Sequence, residues 1–390
     1  MLKLFNSFLS SKENFVPFEK NLVKIFICGP TVYDYTHLGH ARVFLTYDLL
    51  SRYLNDQGFL TDILVNLTDI NQNVFNKAKE NSTKFNDVAK FYTKSFMSDI
   101  DSLYIQNITR FAYVSDYVQN VEDEISDLLQ KKVAYMAHGN IYLDVSKVKN
   151  YGQISRQTSE ELSLHRLDIG PGKKNPEDIM LWNCTEDFDF SWKSRFGTGI
   201  PWWHMQDTAV AQGNFGKTYD IHGGARELLY PHHEAHLAQY QLLSGSATPV
   251  KAWMHVGLVL SQGEKMSKSL GNVVWVKDLL KKYDANLIRL YVYSKHYRDD
   301  FDFIEQDLLK QKPLLDLILT TRSKISMSTH EDITNLIHDF IELLSDDLDS
   351  PHAMEKLEKI CIMIKNGKSI NQNDFNRICK ILGIRLDTAN

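Results

Sequence analysis

Residues 22–29 (LVKIFICG) form a short apolar run, rich in Val, Ile and Phe, that ends at Gly29-Pro30. Such a run predicts a buried strand followed by a turn. From residue 41 to 54 apolar side chains recur at helical spacing, Gly58 ends that pattern, and a second strand is predicted over 61–66. This order places both strands in one parallel sheet, where loops at the carboxyl ends of strands bind nucleotides. The predicted fold class is therefore α/β.

The remaining pattern divides the chain into further regions. Residues 74–129 are helical in pattern, and 134–145 (AYMAHGNIYLDV) predict a hairpin with Gly-Asn at its turn. From residue 302 almost only helical periodicity remains. We predict five regions, in chain order: the first half of the sheet domain (1–95), an insertion (96–195), the second half of the sheet domain (196–250), a region with a charged loop (251–301) and a helical bundle (302–390).

Composition excludes several classes of protein. A chain of 390 residues with 43% hydrophobic residues is too apolar to be disordered, and a net charge of -5 excludes a histone-like polycation. Any nucleic-acid partner must therefore meet a local basic face. The four cysteines form no Cys-x-x-Cys pair, so a reducing compartment is favoured. Neither a leader peptide nor a run of 18 apolar residues is evident, so we expect a cytoplasmic protein with no membrane partner.

The first chemical motif is His37-Leu38-Gly39-His40, between the first strand and its helix. Backbone donors and the positive end of the helix dipole favour a phosphate at this position, and the two imidazoles can donate to it as charge develops. Gly39 leaves room for a flat base or ribose. The alternative is that the histidines only cap the helix or pack locally, because His-x-x-His alone is a weak pattern.

The second motif is the loop 263–272 (GEKMSKSLGN), in which Lys265 and Lys268 are three residues apart. Such a loop can close over a triphosphate, where lysines would neutralise the leaving pyrophosphate. For an isolated Lys-x-x-Lys, a solvated surface loop is the alternative.

Taken together, the two motifs resemble the signatures of class I aminoacyl-tRNA synthetases, and the KMSKS pentapeptide is matched in full. Within that class the resemblance is to cysteinyl-tRNA synthetases, in order over about residues 20–360. The matching stretches are CGPTVYDYTHLGHAR, NLTDIN, KKNPEDIMLW, PWWHMQD, DIHGG, LLYPHHE, WMH, GEKMSKSLGN, SKHYR and DDLDSPHA. The resemblance implies a Rossmann-type catalytic domain split by an insertion, a stem-contact region over 251–301 and a tRNA-binding bundle. It also implies activation of cysteine by ATP and transfer to tRNA.

Roles follow from the resemblance position by position. ATP, as a substrate with Mg²⁺, would be bound by Thr31, His37, Gly39, His40, Lys265, Met266, Ser267 and Lys268, of which His37, His40, Lys265 and Lys268 would be catalytic. The amino acid would be bound by Cys28, Gly29, Thr68, Trp203 and His222. The implied partners are ATP, cysteine and tRNA(Cys), and a monomer is expected.

The resemblance also implies one zinc ion per chain. The family's ligands are two cysteines, a histidine and a glutamate, and the corresponding residues here are Cys28, Asp207, His232 and His236. All four are ordinary zinc ligands, and two histidines four apart share one face of a helix. With one negative ligand fewer, the metal should be a stronger Lewis acid but be held more weakly. The alternative is that the site has lost its metal. We expect His233 to be structural.

Other departures leave further alternatives open. Family members continue beyond the bundle into a small domain that helps to read the anticodon, and the sequence stops at Asn390, soon after Gly383. We expect anticodon recognition to depend on the bundle alone. One alternative function is a paralogue that ligates an activated amino acid to a small-molecule amine. Another is a catalytically silent RNA-binding derivative.

Overall fold

The computed structural model describes residues 1–157, 170–185 and 190–386. Its strands are β1 (Lys3–Asn6), β2 (Ser11–Asn14), β3 (Leu22–Ile27), β4 (Leu60–Leu67), β5 (Arg110–Tyr113), β6 (Ala134–Ala137), β7 (Asn140–Leu143), β8 (Ile179–Cys184), β9 (Trp192–Ser194), β10 (Gly197–Pro201), β11 (Tyr219–Ala225), β12 (Val250–Val256), β13 (Val259–Ser261), β14 (Glu264–Lys265) and β15 (Phe301–Asp302).

The α-helices of the described residues follow the same chain order. They are α1 (Leu38–Asp56), α2 (Gln72–Glu80), α3 (Phe85–Ser102), α4 (Val118–Gln130), α5 (Trp203–Phe215), α6 (Glu234–Ser244), α7 (Val276–Lys282), α8 (Ala285–Tyr293), α9 (Glu305–Leu309), α10 (Lys312–Thr321), α11 (Glu331–Ser345), α12 (Ser350–Lys365) and α13 (Gln372–Leu382).

The predicted strand–helix–strand unit is the centre of the molecule. A parallel sheet of five strands has the order β12-β11-β3-β4-β5, and α1 connects β3 to β4. Its middle strands are buried on both faces, which is why they read as continuous apolar runs. The chain leaves β3 toward β4 and β5, and later returns on the other side of β3. The crevice at the carboxyl ends of β3, β4 and β11 is therefore a topological switch point.

Two details of the predicted pattern are wrong. Residues 74–129 are not all helical, because β5 pairs with β4 and lies at the edge of the parallel sheet. The hairpin predicted over 134–145 is confirmed, but its turn is His138-Gly139, with φ of 50° and 82°, and Asn140 already belongs to a strand. The predicted Gly-Asn turn is therefore one residue too late along the chain. Gly139 is the second turn residue, where its lack of a side chain allows the positive φ.

A second sheet occupies the region predicted as an insertion. It is antiparallel, with the order β6-β7-β8-β10-β9. Residues 158–169 and 186–189 of that region lie outside the described residues. The division into five regions stays a prediction, and β5 places an edge of the parallel sheet inside the range 96–195.

The helical periodicity predicted from residue 302 is confirmed: the long segments of this region are the helices α10 to α13. A buried ion network joins it to the sheet domain. Asp48 on α1 accepts from Arg52 at 2.7 Å and from Arg289 on α8 at 2.5 Å. Arg289 also donates to the carbonyl oxygen of Leu382, at the end of α13. The side chains of Asp48 and Arg289 are fully buried. Separating the two charges would leave each of them buried without a partner, at a large cost in free energy.

No helix among the described residues is long and apolar enough to cross a membrane.

Candidate active site

The first centre of the site is the amino end of α1. His37 is the N-cap of this helix, and its Nδ1 accepts from the backbone N–H of His40 at 3.3 Å. The two rings are stacked with centroids 3.8 Å apart. Burial lowers the pKa of His37 to about 4 and the pKa of His40 well below its usual value. Both rings are therefore neutral near pH 7, and because Nδ1 of His37 accepts, its proton is on Nε2.

A cavity of about 530 Å³ opens beside these histidines. The predicted ATP residues that line it are Thr31, His37, His40, Met266, Ser267 and Lys268. Gly39 lies next to it, where a Cβ would meet Cε1 of His37 at 2.9 Å and Cε of Met266 at 3.4 Å. A side chain at this position would therefore press on both motifs. Nδ1 of His40 is buried without a hydrogen-bond partner in the described part of the chain.

The KMSKS loop packs against this cavity. Oδ1 of Asn272 accepts the backbone N–H of Ser267 at 2.8 Å, and its Nδ2 donates to the carbonyl oxygen of Ser261 at 3.1 Å. Lys268 forms an ion pair with Asp34, and its ammonium lies 4.5 Å from the ring centre of Tyr33. Lys265 does not line the cavity and forms an ion pair with Glu227. Both lysines thus have carboxylate partners, which the sequence did not suggest.

The second centre is at the end of β3, three residues before Thr31. The thiol of Cys28 lies 2.9 Å from Oδ2 of Asp207 and 3.0 Å from Nε2 of His233. The same Oδ2 lies 2.9 Å from Nε2 of His232. The structure thus brings together three of the four predicted metal ligands, Cys28, Asp207 and His232, which are far apart in the sequence.

His236 is the predicted ligand that the structure does not bring into this group. Its Nδ1 lies 3.1 Å from Oγ1 of Thr208, and its Nε2 lies 2.9 Å from the hydroxyl of Tyr219. His233 takes a place beside Cys28 instead, and its Nδ1 contacts Nε2 of His255 at 2.7 Å. The reason is local, because residues 229–233 form a π-helical segment with Tyr230 in extended conformation. The spacing rule for an α-helix therefore does not apply to His232 and His236.

Asn66, at the end of β4, holds this centre together. Its Oδ1 accepts the backbone N–H of Gly29 at 2.8 Å, and its Nδ2 donates to Oδ1 of Asp207 at 2.8 Å. A Cβ on Gly29 would lie 1.7 Å from the carbonyl oxygen of Asn66, so only glycine fits there. The sequence indicated this side chain only by its place at the carboxyl end of a predicted strand.

The other predicted amino-acid residues surround the same centre. The Oγ1 of Thr68 accepts from Nδ2 of Asn66 at 3.3 Å. Trp203 stacks on His232, with ring centroids 4.5 Å apart and an angle of 13° between the rings. His222 is fully buried, with its Nε2 3.5 Å from the sulfur of Cys28.

The pKa values of the two acidic groups are shifted in opposite directions. Burial, with the Asp207 charge second, raises the pKa of the Cys28 thiol well above its usual value. Burial also acts to raise the pKa of Asp207, but His232 and the Cys28 hydrogen bond outweigh it, so this pKa is lowered. Asp207 is therefore the carboxylate of the group, and without a cation nearby Cys28 remains a thiol.

These donors fit the zinc ion that the family resemblance implies. Donor atoms of Cys28, His232 and His233 all lie within 4.8 Å of one another. Around tetrahedral zinc, with bonds of about 2.0–2.3 Å, neighbouring donors lie roughly 3.3–3.8 Å apart. The 2.9 Å contacts of Asp207 with Cys28 and His232 need to open by less than about 1 Å to reach that spacing. The side chains therefore suit zinc with a small expansion.

Comparisons with known proteins show which family the sequence resembles. The model of the family described as tRNA synthetases class I (C) catalytic domain matches residues 14–313. The cysteine–tRNA ligase of Thermococcus onnurineus (strain NA1) is 36% identical over 328 residues, which cover 84% of this chain and 69% of that protein. The cysteine–tRNA ligase of Clostridioides difficile (strain 630) is 32% identical over 408 aligned residues, covering 98% of this chain and 88% of that protein.

The fold has solved relatives as well. Mycobacterium tuberculosis methionyl-tRNA synthetase in complex with methionyl-adenylate has a TM-score of 0.68 at 13% identity, covering 93% of this chain and 88% of that one. At this identity the likeness shows the fold alone, a Rossmann-type α/β domain followed by helices. The sequence relatives carry the rest of the assignment: the chain belongs to the class I aminoacyl-tRNA synthetases, in the family of the cysteine–tRNA ligases.

Proposed function

We propose that this protein is a cysteine–tRNA ligase, which activates cysteine with ATP to cysteinyl-adenylate and pyrophosphate and transfers cysteine to the 3′ end of tRNA(Cys). One observation carries the proposal. The thiol-type centre and the nucleotide-type centre adjoin each other at the carboxyl end of β3: Cys28, which contacts Asp207, directly follows that strand, and Pro30 and Thr31 line the cavity beside His37 and His40. A cysteine with its sulfur at Cys28 would extend its carboxylate toward the α-phosphate of ATP.

Each side of the crevice has its own task in the first step. The carboxylate oxygen of cysteine forms a bond to the α-phosphorus while the bond to pyrophosphate breaks. Nε2–H of His37 and the ring of His40 would donate to the phosphate as negative charge develops. Because both imidazoles are neutral, the stacked rings do not repel each other electrostatically. Lys265 and Lys268 would neutralise the leaving pyrophosphate after exchanging their carboxylate partners for it.

At the other side, Cys28, Asp207 and His232 would hold Zn²⁺. His233, whose ring nitrogen lies within 4.8 Å of the donor atoms of Cys28 and His232, would be a further donor. When bound there, zinc supplies a Lewis acid that prefers the sulfur of cysteine to the oxygen of serine. Asn66 fixes Asp207 through Oδ1 and so keeps Oδ2 facing the site. Trp203 covers one face of His232 and excludes water from it.

The remaining roles belong to the same proposal. ATP would act with Mg²⁺, residues 251–301 would contact the acceptor stem, and the bundle would bind tRNA(Cys). A cytoplasmic monomer fits this role. The relatives named above are tRNA ligases, which supports a tRNA acceptor over a small-molecule amine.

The proposal is tested by ATP-dependent attachment of labelled cysteine to total tRNA, with labelled serine in a parallel reaction. We expect cysteine alone to be attached. If neither amino acid is attached but cysteine still drives exchange of pyrophosphate into ATP, the acceptor is not tRNA. If no amino acid drives that exchange, the protein is not a ligase.

Asp34→Asn is expected to lower the KM for ATP about threefold, because Lys268 no longer has to leave a carboxylate before it binds phosphate. The measurement is ATP–pyrophosphate exchange at saturating cysteine. Asp56→Asn is the matched control, since Asp56 pairs with Arg377 away from the loop. A higher KM in the Asp34 variant would mean that this carboxylate assists ATP binding.

Asp207→Cys is expected to slow the loss of zinc to a chelator roughly tenfold or more, because a thiolate replaces a carboxylate ligand. Release is followed with a zinc-sensitive dye. Asp116→Cys adds a thiol at an exposed position and controls for unspecific metal binding. Equal chelator sensitivity of Asp207→Cys and the unaltered protein would remove Asp207 from the ligand set.

A further inference from the structure

Arg42 is a buried cation that none of the roles above uses. It lies on α1, two residues after His40, and is 0% exposed. Burial lowers the pKa of its guanidinium to about 10, so the group is still charged near pH 7. Within the described ranges of the chain its side-chain hydrogen bonds all go to the backbone. Because a buried charge is costly unless it is hydrogen-bonded, these bonds indicate what the residue holds in place.

Four carbonyl oxygens accept the hydrogen bonds of Arg42. They belong to Leu258, at 3.1 Å, and to His296, Tyr297 and Asp299, at 2.8, 3.3 and 2.5 Å. The guanidinium carbon also lies 4.6 Å from the ring centre of Phe301. One side chain of α1 therefore binds two segments that are far apart in the sequence, one at residue 258 and one at residues 296–299.

Both segments lie at the base of the KMSKS loop. Residue 258 directly precedes β13, which leads into that loop, and β13 pairs in parallel with β15. The backbone N–H of Gly257 donates to the carbonyl oxygen of Tyr297 at 2.8 Å. At the start of the loop itself, the backbone N–H of Gly263 donates to Asp302 at 3.0 Å. The place of the loop thus depends on residues 296–302, and Arg42 connects those residues to α1.

The bundle region binds the same segment through a second buried side chain, Asp347, just before α12. Its Oδ1 accepts the hydroxyl proton of Tyr297 at 2.6 Å, and its Oδ2 accepts from Nε of Arg298 at 2.7 Å. Asp347 therefore holds side chains of this segment while Arg42 holds its backbone. With the segment fixed to the bundle, the contact with Arg42 sets how far α1 lies from the base of the loop.

The first turn of α1 faces two ways. Residues two apart on an α-helix point to nearly opposite sides of it, so His40 lines the nucleotide cavity while Arg42 reaches the base of the loop. The two motifs are already close, because a Cβ on Gly39 would lie 3.4 Å from Cε of Met266. A small shift of the loop base relative to this turn would therefore change the cavity that both motifs line.

We propose that Arg42 is a positioning residue, which holds the base of the KMSKS loop at a fixed distance from the first turn of α1, so that the loop lysines and the two histidines act on the same nucleotide. The inference rests on the proposed function in one respect, that both motifs bind ATP. Arg42 is not among the residues that line the cavity, so it acts through the loop and not by contact with substrate.

Hydrogen exchange of the full chain without substrates, followed by mass spectrometry, tests the structural part. Arg42→Lys keeps the charge but replaces a planar fork of donors by one ammonium group, which cannot reach all four carbonyl oxygens. Peptides that cover residues 257–263 and 300–303 should exchange about tenfold faster, while those from β4 and β11 keep their protection. Unchanged exchange at the base of the loop would overturn the proposal.

Arg52→Lys is the matched control. It alters a second buried arginine of α1, whose partners are Asp48 and the carbonyl oxygens of Tyr104 and Lys380, away from the loop. Exchange at the base of the loop and the rate of ATP–pyrophosphate exchange should both stay unchanged. Phe301→Leu is used if Arg42→Lys does not fold, because it removes the ring beside the guanidinium but no hydrogen bond of the sheet. It should give the same pattern at smaller amplitude.

Kinetics test the functional part. In cysteine-dependent ATP–pyrophosphate exchange, with rates divided by the concentration of active sites, Arg42→Lys should lower kcat about 10- to 100-fold, the cost of misplacing reacting groups by about 1 Å. The KM for cysteine should change less than about twofold. Lys268→Ala should also lower kcat, and the double variant should lie within about threefold of the slower single variant, because both changes remove the action of one loop.

The double variant separates positioning from a general loss of stability. If the two effects on kcat multiply, Arg42 does not act through the loop and the proposal is overturned. Failure of the proposed function looks different, because cysteine would then drive no pyrophosphate exchange in the unaltered protein. The hydrogen-exchange result would still show whether Arg42 fixes the loop to α1.

Discussion

His40→Ala is expected to lower kcat for cysteine-dependent ATP–pyrophosphate exchange about 10²- to 10³-fold, the effect of removing one preorganised donor from a developing anion. His40 lines the nucleotide cavity, stacks on His37 at 3.8 Å and is held neutral by burial. The KM for ATP should change much less than kcat, because the donor acts mainly in the transition state.

The control for this variant is His352→Ala, which removes an exposed histidine from the bundle. It should leave exchange unchanged. Near-normal exchange by His40→Ala in folded protein would show that this ring only packs against His37, the alternative that the sequence leaves open. The experiment thus decides whether His40 acts in the transition state or only supports His37, which caps the helix and lines the cavity.

Cys28→Ser should lower the preference for cysteine over serine at least about 10³-fold, measured as the ratio of kcat/KM in exchange. Sulfur and oxygen differ too little in size for an apolar pocket to separate them. A hydroxyl is a poor ligand for zinc, so this variant removes the one soft donor of the group. The metal content of the purified variant should fall well below one equivalent per chain.

Cys184→Ser provides the comparison, because Cys184 is the exposed free cysteine and lies away from the crevice. Both its zinc content and its preference should match the unaltered protein. Full zinc content together with an unchanged preference in Cys28→Ser would remove this cysteine from the site. Full zinc with a lost preference would instead assign Cys28 to contact with the substrate.

The parts of the fold that sequence predicts well are those with a long, regular pattern. The central strand, α1 and the second strand follow from apolar runs and helical spacing, and the sheet confirms them. The strand Arg110–Tyr113 has only four residues within a helical-looking segment, so no periodicity could reveal it. Its identity as a strand depends on pairing with β4, which is a tertiary contact.

The candidate site shows the same limit. Motif spacing predicts that His37, His40 and Lys268 meet, and they do line one cavity. It does not predict that His233 approaches Cys28, because that depends on the π-helical segment at 229–233. Nor does it predict the partners of His236, since Thr208 and Tyr219 come from a helix and a strand that only the folded sheet brings together.

Helix α1 connects the nucleotide cavity to the helical bundle. Its first turn carries His40, and about 12 Å further along, Asp48 is locked to Arg289 and through it to the end of α13. If tRNA binding moves α13, the movement must either break the hydrogen bonds that Arg289 and Arg52 donate to its backbone or be passed to α1. In thermodynamic terms this is a route for linkage: whatever factor tRNA applies to the affinity for ATP, ATP must apply to the affinity for tRNA.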